Sequence, residues 1–89
     1  MCEFRWNTWN VEHIAEHGVE SRHAEFVVNH PERGFPRREG KHKFRVWGQD
    51  MNGRYVQVIY IFDPPEVVYV IHARPLTDAE KRHLRKRRE

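Results

Sequence analysis

Eighty-nine residues, 38% apolar and 33% charged, make a single domain over residues 1–89; a chain this small buries only about 60–65% of its unfolded surface, which leaves little room for an enclosed cofactor. The lone Cys2 excludes an internal disulfide, no run approaches the roughly 20 apolar residues of a membrane helix, and Met1-Cys2-Glu3-Phe4-Arg5 has no apolar run behind it, so a cytoplasmic protein without a leader is expected. The net charge of +3 is uneven: −4 over residues 1–32, +5 over 33–54, −2 over 55–73 and +4 over 74–89, which reads either as ordinary solvated charge or as an acidic end and a basic face suited to a polyanion.

Phe4-Arg5-Trp6 alternates as a short first strand. Asn7 or Thr8 can cap the helix that follows, whose side includes Trp9, His13 and Ala15-Glu16. Gly18 stops it, since glycine takes the left-handed conformation at low cost. Glu20 or Ser21 opens a second helix with Ala24, Val27 and Val28 as its apolar stripe, ended by Pro31. Residues 31–42, with Pro31, Gly34, Pro36 and Gly40 among charges, read as an exposed loop. Residues 44–48 alternate as a strand, Asn52-Gly53 signals a hairpin, and 55–62 is rich in β-branched and aromatic residues. Asp63-Pro64-Pro65-Glu66 breaks the ladder, and 67–72 is a further apolar strand. Thr77-Asp78-Ala79-Glu80 is a capping box that opens a last helix. Its basic end, residues 82–89, is expected to fray. The order β-α-α-β-β-β-α predicts an α+β fold, an antiparallel sheet with helices packed on one face.

Several groups could carry chemistry. Lys43, Arg45 and Trp47 share one face of their strand by period two, and Lys41, Arg54, Arg82 and Arg85 extend the cationic set. Cations with an aromatic suit single-stranded RNA, charge holding phosphates and rings stacking on bases; the plainer alternative has Trp47 covering the sheet against a helix. Arg74 follows an apolar run, so its guanidinium is held in place, either to stabilise charge on a phosphate or in an ion pair with Glu80. The seven histidines include His17, His72 and His83 near this region, and imidazole suits proton transfer near neutral pH. His13-Ile14-Ala15-Glu16-His17 also matches an inverted zinc-protease pattern. It is short, lacks a persuasive third ligand and sits in a domain too small for a peptidase cleft, so no metal site is expected.

Taken in order, Phe4-x-Trp6, Asn10, His17-Gly18-Val19, Ala24-Glu25-Phe26-Val27, Arg45 followed by Gly48, Gly53-Arg54-x-Val56-x-Val58, Val70-Ile71-His72-Ala73-Arg74 and Thr77-x-x-Glu80 resemble the BrnT-type toxins of bacterial toxin–antitoxin systems. The resemblance spans nearly the whole chain and rests on order and spacing, no single element being specific. It implies a RelE-like fold, and a ribonuclease that halts translation without a cofactor. It also implies neutralisation by a BrnA-like antitoxin whose ribbon-helix-helix portion binds the operator. Carried over by position, Arg45 and Arg74 would bind phosphate and Glu80 would orient Arg74 or act as base. His17 would be a helix-end residue or an acid/base group. The chain departs from the family's usual pattern where His72 replaces a serine-like residue, Pro75 a cation and His83-Leu84 an aromatic; His83 then takes the place open to that aromatic. The alternative function is a non-catalytic RNA-binding or regulatory module.

Overall fold

A computed structural model describes residues 3–63 and 66–88. Cys2, the Pro64-Pro65 breaker and Glu89, which figure in the sequence expectations, lie outside the described residues. In chain order the elements are β1 (Glu3–Arg5), α1 (Thr8–Ala15), α2 (Ser21–Asn29), β2 (Arg37–Gly40), β3 (Lys43–Gln49), β4 (Tyr55–Asp63), β5 (Val67–Pro75) and α3 (Asp78–Arg88). The strands form one sheet in the order β1-β5-β4-β3-β2. β1 runs parallel to β5 and the other neighbours are antiparallel.

Local chemistry explains the helix ends. The Asn7 side chain accepts from the Asn10 amide at 3.1 Å while the Asn10 side chain accepts from the Asn7 amide at 2.8 Å, so two free helix-end donors are satisfied reciprocally. Gly18 takes φ +75° just past α1, and the amides of Gly18 and Val19 close back onto Ala15 and Ile14. Thr77 and Glu80 form the expected capping box, with Glu80 N donating to Thr77 Oγ1 and Thr77 N to Glu80 Oε1.

The main core lies on one sheet face. Val46, Val56, Val58, Val68, Val70 and Ala73 meet Ile14, Val19, Ala24, Val27 and Val28, and all are buried. Burying each such aliphatic side chain stabilises by about 1.5–3 kcal/mol for the larger ones. Helix α2 lies so close to β3 that a Cβ on Gly48 would sit 3.0 Å from the His30 carbonyl oxygen and 3.3 Å from Val27 Cγ1. α1 runs beside the edge of β5 past the end of β1, where Asn10 Nδ2 donates to the carbonyls of Arg5 and Val70, each at 3.1 Å.

Two expectations change. The 31–42 loop contains β2, whose backbone covers the outer edge of β3 while Arg38 and Glu39 stay exposed; backbone pairing needs no apolar pattern, and charges suit an edge strand. The helices also do not share one face. Alternation along β3 turns Trp47 away from Val46, and Trp47 clusters with Leu76 and with Leu84 of α3. α3 therefore packs on the sheet face opposite α1 and α2, because Trp47 there needs cover from water.

Candidate active site

The sheet face not covered by α1 and α2 carries the candidate residues in rows. One row crosses four strands as Arg37, Arg45, Ile59 and His72. The next is Trp47, Gln57 and Arg74. Directly opposed residues on neighbouring strands share a face at about 5 Å, so Arg45, His72 and Arg74 belong to one surface. β5 reaches it through a bulge. Ile59 pairs with His72, but Tyr60 pairs with Val70, leaving Ile71 as the extra residue. Val68 and Val70 point into the core before the bulge and Ala73 does so after it. Without that extra residue His72 and Arg74 would follow Val70 inward.

Arg74 is held from two sides. Its Nη1 and Nη2 donate to Glu80 Oε1 and Oε2, both at 2.8 Å, and Nη1 also donates to the Pro75 carbonyl at 3.0 Å. Hydrogen bonding to Arg74 dominates the Glu80 carboxyl; against the upward push of burial, and with help from the Thr77 amide, it brings the pKa down to about 2. The same contact raises the Arg74 pKa. Phosphate binding and ion pairing, the two readings of Arg74, are compatible here, because the Arg74 side chain stays 29% exposed beside its carboxylate.

Arg45 lies half-buried with its guanidinium 5.6 Å from the Trp47 ring centroid. Its buried Nε has no hydrogen-bond partner among the described residues, and the Glu39 carboxylate is 3.7 Å away. Lys41 and Lys43 are exposed at and after the turn joining β2 to β3, and Arg82 and Arg85 are exposed on α3. An open concavity of about 450 Å³ is bounded by Ala79, Arg82, His83, Arg85 and Lys86. His83 is exposed, with its ring edge-on to Trp47 at 6.3 Å.

One expected RNA contact is corrected, and a second has a role in the fold. Trp47 is only 6% exposed, and its Nε1 donates to Gln57 Oε1 at 2.9 Å; the ring is packed under α3 and offers no face to a base, which is the plainer alternative of the sequence reading. Arg54 is exposed and also serves the fold. Its Nε donates to Asp50 Oδ2 at 3.2 Å and its Nη2 to the Gly18 carbonyl at 2.9 Å, tying the β3–β4 hairpin to the turn after α1. Burial pushes the Asp50 carboxyl up, but amide hydrogen bonds from Arg54 and Asn52, with the Arg54 guanidinium, hold it below its ordinary value.

The histidines assemble in a way that spacing did not reveal. His17 and His72 rings lie 5.1 Å apart, His13 and His72 5.9 Å, and His13 and His17 6.4 Å. Trp9 stacks on His13 at 4.9 Å with 9° between planes. Burial first, then the charges of His17, His13 and Arg74, lower the His72 pKa. The sequence names His17 and His72 as histidines near the site, and His13 as a residue of the first helix and half of a zinc pattern, without showing that the three meet. The zinc pattern does not form as written, since α1 ends at Ala15 and His17 sits in the turn beyond it. Among the described residues no three His, Cys, Asp or Glu side chains are arranged to hold a metal ion. No described helix is long and apolar enough to cross a membrane.

No protein-family model matches the chain, and no curated protein matches it. Among solved structures, the 1.1 Å crystal structure of the Brucella abortus ribonuclease toxin BrnT is similar, with a TM-score of 0.63 at 21% identity, over 88% of this chain and 100% of that one. The mixed α+β fold of this chain, three helices with a five-stranded sheet, is thus also the fold of that ribonuclease toxin.

Proposed function

We propose that this chain is the toxin of a type II toxin–antitoxin pair: a cytoplasmic, metal-independent endoribonuclease that cleaves RNA and so inhibits translation. In this reading a BrnA-like ribbon-helix-helix antitoxin neutralises it. The observation that carries the reading is a match in fold over the full length of a ribonuclease toxin, in a chain that carries Arg45 and the Arg74–Glu80 pair on the α3 side of the sheet, two strands apart. Arg45 and Arg74 bind the scissile phosphate and stabilise the charge that develops on it. Glu80 orients Arg74, its low pKa keeping it charged. Lys41, Lys43, Arg82 and Arg85 hold the RNA backbone. His17, His72 and His83 are the histidines that the sequence offers for proton transfer.

One feature favours a second reading. Both terminal nitrogens of Arg74 are already engaged by Glu80, which suits a structural clamp in a non-catalytic RNA-binding module. RNA cleavage by purified protein in EDTA, beside Arg74→Ala, separates the two. Cleavage by the wild type, lost in Arg74→Ala while its fold survives, is the expected result. RNA retention without cleavage by a folded wild type would establish the second reading.

A further inference from the structure

We propose that His72 and His17 form the proton-transfer pair of this site, His72 taking the proton from a ribose 2′-hydroxyl and His17 delivering one to the leaving 5′-oxygen. The proposal rests on the ribonuclease reading above and names the groups that would do its chemistry.

Placement carries the argument. The bulge at Ile71 delivers His72 to the α3 side of the sheet, in register with Arg45 through Ile59 and one side chain along from Arg74. A phosphate held by Arg74 therefore lies beside His72. His17 comes from the turn after α1, and its ring meets that of His72 edge to face at 5.1 Å. The turn is itself fixed, because Arg54 donates to the Gly18 carbonyl while anchored on the buried Asp50. Neither imidazole has a hydrogen-bond partner among the described residues, so each nitrogen is available to a substrate oxygen. His17 is exposed and His72 half-buried.

The charges facing His72 favour a division of labour. His13 and His17 face it from the α1 side, Arg74 lies along β5 and Arg45 lies two strands away across apolar Ile59. The carboxylate of Glu80 is committed to Arg74, and Glu16 lies by His13 at 3.7 Å. Burial first, then the charges of His17, His13 and Arg74, lower the His72 pKa and favour a neutral imidazole, as a base must be.

The step balances without a co-reactant. Neutral His72 removes the 2′-hydroxyl proton, the 2′-oxygen bonds to phosphorus, and the bond from phosphorus to the 5′-oxygen breaks as His17 gives that oxygen its proton. The products are a 2′,3′-cyclic phosphate and a 5′-hydroxyl. His72 ends protonated and His17 neutral, and exchange with solvent resets them.

The test uses a labelled single-stranded RNA oligonucleotide, and for binding its 2′-O-methylated counterpart, which lacks the attacking hydroxyl. Wild-type cleavage is measured first, from about pH 5 to about pH 9. His72→Asn and His17→Asn are each expected to slow cleavage about 100-fold or more, with affinity for the methylated RNA within about threefold. Each should flatten one limb of the wild-type pH profile, and added imidazole should partly restore a His17→Gly variant. Should His72→Asn fail to fold, His17→Asn, on an exposed turn, decides the matter. Cleavage by both variants within about threefold of wild type, with an unchanged profile, would overturn the pairing, as would a loss confined to His83→Ala. A folded wild type inert at every pH would overturn the ribonuclease reading and the pairing with it. Wild-type activity that survives both substitutions overturns the pairing alone.

Discussion

Arg74 of β5 and Glu80 of α3 are joined by two parallel hydrogen bonds of 2.8 Å, and the carboxylate oxygen that receives Nη1 also receives the Thr77 amide. One carboxylate is at once the cap of α3 and the clamp on Arg74. The start of the helix and the direction of the guanidinium are therefore set together.

That coupling has a pH signature. Glu80 titrates at about 2 instead of 4.5. A depressed carboxylate pKa means that the unfolded chain binds the proton more tightly, so the stabilisation is complete above about pH 4.5 and is lost as pH falls towards 2. Glu80→Gln should lower stability at neutral pH by roughly 2 kcal/mol, allowing for partial exposure. It should also flatten the dependence of the urea midpoint on pH below 4.5. An identical midpoint-against-pH curve for the two proteins would show that the pair contributes nothing to folding.

Charge alone should not replace Arg74. Lysine offers one ammonium where the guanidinium offers a planar fork that can meet a carboxylate and still face a phosphate. Arg74→Lys is expected to fold and to cleave RNA at least about tenfold more slowly than wild type. Equal rates would mean that the geometry of the fork is not used in the reaction.

Burial of Trp47 creates a second dependence. Its Nε1 donates to Gln57 Oε1 beneath α3, with both residues nearly inaccessible at 6% and 5%. Gln57→Leu keeps the volume but strands the indole N–H, which should cost about 1–3 kcal/mol. Chemical denaturation followed by tryptophan fluorescence would measure it. A variant as stable as wild type would show that the indole finds another acceptor.

The parts legible in the sequence are those set by neighbours along the chain. Thr77 and Glu80 are three residues apart and cap one helix, and period two alone separates Arg45 and Trp47 from Phe44 and Val46. The parts that were not legible depend on a partner strand or helix. The bulge at Ile71 exists only relative to β4, yet it decides which way His72 and Arg74 point. Trp47 looked equally like a stacking ring or a buried cover until Leu84 was placed on it. β2 carries no apolar alternation because its pairing is through the backbone at an edge. His13, His17 and His72 meet only once α1 lies beside β5, and a contact between such distant segments leaves no local pattern.

The placement of α1 itself rests on Asn10. This residue is fully buried, its Nδ2 joins the carbonyls of Arg5 and Val70, and its Oδ1 accepts from the Asn7 amide at 2.8 Å. β1, three described residues long, pairs with β5 and is further fastened by the Arg5–Asp63 ion pair at 2.6 Å and by Phe4 against the core. Asn10→Ala leaves two carbonyls and one amide without these partners and opens a small void. A loss on the order of 3 kcal/mol is expected. Asn10→Asp keeps the acceptor for Asn7 but sets a carboxylate against two carbonyl oxygens, so at neutral pH it should be no more stable than the alanine variant. Hydrogen exchange should then quicken first in β1 and α1 and leave β3 and β4 protected. If Asn10→Asp instead matched wild-type stability, the clamp would reduce to the helix cap. The rings of His13 and His17 would then owe their position to the packing of Ile14 and Val19, to Trp9 stacked on His13 and to Arg54 on the Gly18 carbonyl.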